Sequence, residues 1–212
     1  MQTYSLPSKV SALLFDMDGT LYTNPVYARN QTDLLVAKLA SLHGQSFERT
    51  QAEIADFRAE FALTHAGKGT SLANVFLAFG VSIEESIRWR EELLEPSGSL
   101  RPDPLLKQSL THLSSTYKLA LLTNNPMVVA RKTLTALGID LSVFSAVLGL
   151  DVCKVSKPHP APFLKIVELL SVPCCECVSV GDRFDIDIAV PLSLGMGGVL
   201  VKGVEDVYSL EF

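Results

Sequence analysis

Long apolar runs are missing from this chain. Nowhere in its 212 residues is there an unbroken apolar stretch near the ~18 residues a membrane span needs. The opening Met1-Gln2-Thr3-Tyr4 has neither a basic start nor an apolar stretch behind it, so no signal peptide is expected and the cytoplasm is the expected setting. A basic block is missing too. Lys and Arg number 18 against 23 Asp and Glu, a net charge of −5 spread along the chain. That balance argues against nucleic acid or an anionic membrane surface as a partner. Cysteine is scarce: Cys153 stands alone, and Cys174, Cys175 and Cys177 crowd together. This is no disulfide framework, and a reducing compartment suits it best. The Cys174-x-x-Cys177 spacing is half a zinc site without a second pair of ligands downstream, so small apolar residues leading into a strand is the better reading. Internal repeats and low-complexity tracts are absent as well.

What the chain has is apolar content: 48% hydrophobic residues suffice for a core, either as one domain or with a small accessory unit. Val10 to Phe15 is an apolar run that fits a buried strand of a parallel sheet. It climbs into Asp16-Met17-Asp18-Gly19-Thr20-Leu21. At period two, Asp16 and Asp18 leave the strand end on one face, and Gly19 lets the chain turn. Like charges this close call for a cation, or for a proton held by one of them.

From Val26 to Pro96 the spacing is helical. Leu34, Leu35, Ala37, Lys38, Leu39 and Leu42 outline one helix, and Phe47, Ile54, Phe57, Phe61 and Leu63 a second, capped by Ser46. Ser71–Phe79 predicts a third helix. Ser82 with Glu85 is a capping-box pattern that opens a fourth, running to Glu95. Residues 22–100 are therefore expected to form a small four-helix unit, with hinges near 21–24 and 96–100. From Arg101 onward strand and helix alternate: strands at Tyr117–Thr123, Val143–Leu148, Cys177–Gly181 and Gly197–Val201, and helices after Asp103, Pro126, Pro160 and Ile186. The expectation is an α/β fold, a Rossmann-like parallel sheet of about five strands with helices on both faces, built from residues 1–21 and 101–212.

Ligands of open parallel sheets bind beyond the carboxyl ends of the strands. Asp16 and Asp18, Thr123-Asn124, Lys157-Pro158, and Gly181-Asp182 with Asp187 all fall there. Carboxylates are the hard oxygen ligands Mg²⁺ accepts, and a lysine and a hydroxyl suit phosphoryl oxygens. Together, Asp16-x-Asp18-Gly-Thr20-Leu, Leu122-Thr123-Asn124, Ser156-Lys157-Pro158 and Gly181-Asp182-x₄-Asp187 resemble the four motifs of the haloacid-dehalogenase superfamily of phosphohydrolases, in that family's order. The helical block resembles the inserted cap of one of its branches.

The resemblance implies an Mg²⁺-dependent phosphatase that acts on a small phosphorylated metabolite. Asp16 would attack phosphorus to give an aspartyl-phosphate, and Asp18 would serve as general acid and base. Asp16, the Asp18 carbonyl and Asp182 would hold the metal; Thr123, Asn124 and Lys157 would bind or shape the phosphate pocket; Asp187 would orient the lysine or metal waters. Asp18 speaks against dehalogenation, because halide leaves without a proton. A phosphomutase of the β-phosphoglucomutase kind, a phosphonate hydrolase and a non-catalytic binding protein are the alternatives.

Within the cap, the loop His65–Ser71 is expected to approach the nucleophile, with Lys68 and Gly69 as substrate contacts and Arg183 at the site mouth. Lys38 and Lys68 do not settle whether the cap carries a Schiff-base lysine. Arg58 and Arg88 read as solvent-facing, and His43 as an ordinary helix end. Tyr22 and Tyr27 either stack on substrate or pack the lid. Asp185 has no motif role. The chain is expected to be a monomer or a homodimer.

Overall fold

In the computed structural model, which describes residues 1–65 and 67–212, the sheet is organised around β2 (Ala12–Phe15), whose four residues are all buried. Two neighbours flank it, so both faces must be apolar, and alternation sends its side chains to opposite layers. Leu13 and Phe15 join a cluster with leucines of α5 (Pro104–Ser114), residues of α6 (Met127–Ala136) and valines of α10 (Val204–Tyr208). Ala12 and Leu14 join the opposite cluster, with Phe163, Ile166 and Leu170 of α8 (Pro160–Leu170). Each fully buried side chain of this size contributes roughly 1.5–3 kcal/mol.

The remaining strands are β1 (Gln2–Tyr4), β3 (Lys118–Leu122), β4 (Ala146–Leu148), β5 (Cys177–Gly181) and β6 (Gly197–Leu200), in the order β1-β6-β5-β2-β3-β4. All neighbouring pairs are parallel except β1 with β6. The sheet therefore has six strands instead of about five. The extra strand is three residues at an edge, held by backbone pairing to β6 with little apolar content to announce it. β2 lies between β5 and β3, where successive connections leave in opposite directions, and this is where a doubly wound sheet opens a ligand crevice.

Local boundaries shift for physical reasons. Val143–Leu148 divides into a 3₁₀ turn at Leu141–Val143 and the short β4. The helix expected after Ile186 begins as a π-helical turn, Phe184–Ile188, and continues as α9 (Ala189–Ser193). The short α7 (Leu150–Cys153) and α10 carry too few turns to show a period.

Between β2 and α5 lie α1 (Pro25–His43), α2 (Phe47–Thr64), α3 (Leu72–Ala78) and α4 (Ile83–Leu93). Each starts on a side-chain cap: Asn24, Ser46, Ser71 and Ser82 accept from the amides of Tyr27, Arg49, Asn74 and Glu85. The capping box at Ser82 is only half made, because the Glu85 carboxylate is taken by Arg88 and by the Trp89 indole N–H. The four helices share an apolar cluster of Leu35, Val36, Leu39, Ile54, Val75, Phe76 and Trp89, joined by Val129 of α6. Ala73, Ile83 and Ile87 pack on Leu150. The face of α1 is rotated from expectation: Leu34 and Leu42 are exposed while Gln31 is buried. Helix α2 buries only Thr50 and Ile54, and Leu63 is 86% exposed. The two chain crossings lie side by side, with Asn24 Nδ2 donating to the Ser99 carbonyl at 3.0 Å.

Candidate active site

The residues after β2, β3 and β5 converge because those strands are adjacent and parallel, so their carboxyl ends share one edge. Asp16 follows Phe15 directly, and its amide still pairs with the Val180 carbonyl of β5 at 2.9 Å. Lys157 comes from the segment between α7 and α8. Lys157 is 2% exposed, and its ammonium reaches Asp16 Oδ1 at 2.6 Å and Asp187 Oδ1 at 2.7 Å. Burial alone would lower the pKa of this ammonium, but Asp16 and then Asp187 outweigh that and raise it, so it stays charged. Lys157 takes Oδ1 of Asp16, not Oδ2.

Oxygens of Asp16, Asp182 and Asp187 all lie within 4.8 Å of one another. Burial, followed by repulsion from Asp16 and Asp187, pushes the Asp182 carboxyl up to about 7. Burial also lifts Asp187 to about 6, although Lys157 pulls the other way. One lysine does not neutralise three carboxylates, Asp187 buried and Asp16 and Asp182 half-buried, and this set of hard oxygens fits a divalent cation of the Mg²⁺ type. The Asp18 side chain is not part of this cluster. Asp187 is, but Lys157 holds its Oδ1 and the Arg183 amide donates to its Oδ2 at 3.2 Å.

Asp18 has its own surroundings. Its Oδ1 accepts from the Tyr22 hydroxyl and from Gln31 Nε2, and its Oδ2 from Asn125 Nδ2 at 2.8 Å. Burial raises its pKa, and the Tyr22 and Gln31 bonds oppose that rise. Gln31 also donates to the Tyr22 hydroxyl at 2.9 Å, so a helix of the insert is bonded to the carboxylate. Tyr22 and Tyr27 pack against each other inside the core, 5.9 Å between ring centroids. Gly19 turns the chain with φ +81, and a Cβ there would lie 2.4 Å from Asp182 Oδ2.

Thr123 is buried, and its Oγ1 accepts from the Asn125 amide at 3.1 Å. Asn124 clamps the Lys157 backbone, its Oδ1 accepting from the Lys157 amide at 2.8 Å and its Nδ2 donating to the Lys157 carbonyl at 3.1 Å. The side-chain amide of Asn124 thus positions the lysine. Ser71 and Ser156 share a buried hydroxyl–hydroxyl bond of 2.7 Å that joins the insert to the segment carrying Lys157. Gly69 lies against Asp185 and Arg183, where its Cβ would overlap Asp185 Oδ2 at 1.8 Å. Gly69 thus lies beside Arg183, a residue of the cavity wall, whereas Lys68 is exposed.

A cavity of about 370 Å³ opens beside the acid cluster, on the Asp18 and Asp182 side. Asp18, Gly19, Asn124, Asn125 and Asp182 line its floor; Gln31, Leu35, Ser71, Leu72, Arg90 and Arg183 are among its walls. Arg183 is paired with Asp185 at 3.2 Å and is partly exposed. Arg58 is exposed as a residue, yet its guanidinium is lowered by burial of that end and by Arg183 beside it. Arg88 faces solvent, bound to Glu85. Lys38 is exposed, and His43 stacks on Phe79. Three residues here were missed by sequence reasoning: Gln31, Arg90 and Asn125. The spacing Ile83, Ser86, Ile87, Arg90 puts Arg90 on the buried face of α4 and could have revealed it.

A family model, haloacid dehalogenase-like hydrolase, matches residues 10–195. The chain belongs to this family. Among its members, phosphoglycolate phosphatase from Pectobacterium atrosepticum is 31% identical over 184 residues, 85% of this chain and 76% of that protein. Phosphoglycolate phosphatase from Colwellia psychrerythraea is 39% identical, but over 66 residues, only 31% of this chain and 29% of that protein. The structure resembles a HAD phosphatase from Thermococcus onnurineus with a TM-score of 0.58 and 26% identity, covering 91% of this chain and 86% of the other. Within the haloacid dehalogenase-like hydrolases this chain stands among the phosphatases. No helix among the described residues is long and apolar enough to cross a membrane.

Proposed function

We propose that this enzyme hydrolyses a small phosphomonoester through a covalent intermediate on Asp16, with Asp18 as the acid and then the base. The observation that carries the reading is the division of labour between the two aspartates. Lys157 occupies Asp16 Oδ1 at 2.6 Å, which leaves Oδ2 outside that ion pair and suited to attack on phosphorus. Asp18 is bonded away from Lys157, to Tyr22, Gln31 and Asn125, and burial favours its protonated form.

In the first step the Asp16 Oδ2–P bond forms, the ester P–O bond breaks, and the Asp18 proton goes to the leaving oxygen. In the second, water attacks phosphorus, gives its proton to Asp18, and frees Asp16 and inorganic phosphate. Lys157 and the Thr123 hydroxyl hold phosphoryl oxygens, Asn124 fixes the lysine's backbone, and Asp187 fixes its ammonium. Asp16 and Asp182, with the Asp18 carbonyl as expected from the family motif, would hold Mg²⁺, and Asp187 would support them. When bound, Mg²⁺ supplies charge neutralisation for the carboxylates and the phosphoryl group. The four-helix insert acts as a hinged lid, its Gln31 and Ser71 reaching the site.

The test is turnover of a generic aryl phosphate with Mg²⁺ or with EDTA, in the wild type and in Asp16→Asn. EDTA-sensitive turnover that Asp16→Asn loses is expected. Its absence from the wild type rejects the reading.

A further inference from the structure

The wall of the cavity holds a cation that the proposed phosphoryl chemistry does not use. Arg90 lies on α4 and is 4% exposed, among the most buried charged residues of the insert. Buried charges are normally paired, because an unpaired one carries a large desolvation cost. Arg90 has no carboxylate within ion-pair distance among the described residues. Its hydrogen bonds there are made by Nη1 alone, to the Ser86 carbonyl at 2.9 Å and to the Ser86 hydroxyl. Its guanidinium lies over the Phe76 ring, 5.8 Å from the centroid, which steadies the stem without neutralising the charge. Burial lowers its pKa to about 10, with the Asp18 charge opposing, so it remains a cation at neutral pH.

The second cation of the wall, Arg183, is already paired with Asp185. Lys157 and Thr123, which would hold the phosphoryl group, belong to the sheet edge, whereas Arg90 belongs to the helical insert. Asp18, Asn124 and Asp182, which adjoin that phosphate site, line the same cavity as Arg90, so a substrate held there has a guanidinium within the same chamber. The Nε and Nη2 edge, free of partners among the described residues, matches the two oxygens of a flat carboxylate. The chamber, about 370 Å³, is near the small end of ligand pockets, which run from roughly 300 to 1,000 Å³.

We infer that Arg90 is the specificity-determining residue of this site, and that the substrate is a small phosphomonoester carrying a carboxylate a short distance from its phosphate. The inference rests on the phosphatase reading above. It goes further by assigning the residue and the second functional group.

The experiment compares 2-phosphoglycolate with ethyl phosphate, a probe of similar size lacking the carboxylate, alongside a generic aryl phosphate. All are assayed with Mg²⁺ in the wild type, Arg90→Lys and Arg90→Met; the Met variant keeps an apolar stem against Phe76. The wild type is expected to favour the acid by about 10- to 100-fold in kcat/KM, the worth of one hydrogen-bonded charge pair. In Arg90→Met that preference disappears through KM, while aryl phosphate turnover stays within about twofold and Arg90→Lys regains part of the preference. Wild-type turnover of aryl phosphate without any preference for the acid overturns the inference and leaves the phosphatase reading standing. Equal losses on all three probes in Arg90→Met make Arg90 structural, and also overturn it. No turnover of any probe by the wild type defeats the phosphatase reading itself.

Discussion

Gly19 is where a single atom decides the most. Its φ of +81 lies in the left-handed region, and a Cβ there would sit 2.4 Å from Asp182 Oδ2 and 2.7 Å from its Cγ. Gly19→Ala must pay backbone strain of roughly 1–2 kcal/mol and push Asp182 away from Asp16. We expect a folded protein with its melting temperature lowered by a few degrees and its aryl phosphatase activity down at least 100-fold. Mg²⁺ needed for half-maximal activity should rise as well; an unchanged metal requirement would show that Asp182 is not held by this contact. The sequence motif gives Gly19 as a turn, but the turn and the close approach to Asp182 require each other. Other residues at this scale were illegible for the opposite reason. Gln31, Arg90 and Asn125 are polar residues at buried positions, and composition rules send such residues to solvent. What holds Gln31 and Asn125 inside is a bond to Asp18, and what explains Arg90 is the cavity it faces. Those bonds become visible only when the chain is folded, although the spacing within α4 already puts Arg90 on its buried face.

The alternation after Arg101 is readable from its longer elements: β3, α5, α6, α8 and β5 are long enough to show a period, and Pro104, Pro126 and Pro160 mark the starts of the three helices. β1 and α10 are not, being short and held by pairing or packing that only the finished sheet provides. The loop into α3 shows how an element serves two purposes. Ser71 Oγ accepts from the Asn74 amide at 3.1 Å, capping α3, and bonds Ser156 Oγ at 2.7 Å. Ser156 also donates to Asn74 Oδ1 at 3.1 Å. Removing the cap costs about 1 kcal/mol, so Ser71→Ala is expected to lower the melting temperature more than Ser156→Ala does. Both remove the link between the insert and the lysine-bearing segment, and both should lower kcat/KM on aryl phosphate several-fold. Equal melting temperatures would argue that the cap on α3 contributes nothing; unchanged kcat/KM in both would argue that the link does not govern closure.

For the whole molecule, the acid cluster sets how stability responds to pH when no metal is supplied. Asp182 and Asp187 have folded-state values of about 7 and about 6, against an ordinary 3.8. Between pH 4 and 7 the unfolded chain has released these protons and the folded chain still binds them. The slope of unfolding free energy against pH is proportional to protons bound in the unfolded state minus those bound in the folded state, so it is negative here. The stabilising contribution is fully present below the unfolded values and is lost as pH rises through 6 and 7. The carboxylates whose values are lowered, such as Glu84, Glu95, Glu176 and Asp206, belong to the surface and have finished titrating below this window. In EDTA the melting temperature should therefore fall between pH 5 and pH 8. At about 2–4 °C per kcal/mol for a chain of this size, the drop should be several degrees. Mg²⁺ competes with the protons for the same oxygens, so it should raise the melting temperature more at pH 8 than at pH 5. Asp182→Asn removes one of the repelling charges; in EDTA it should flatten the fall and shrink the gain from Mg²⁺. A metal-free melting temperature that stays level or climbs from pH 5 to 8 would mean that Lys157 alone balances the cluster, and the case for a divalent ion there would lose its physical basis.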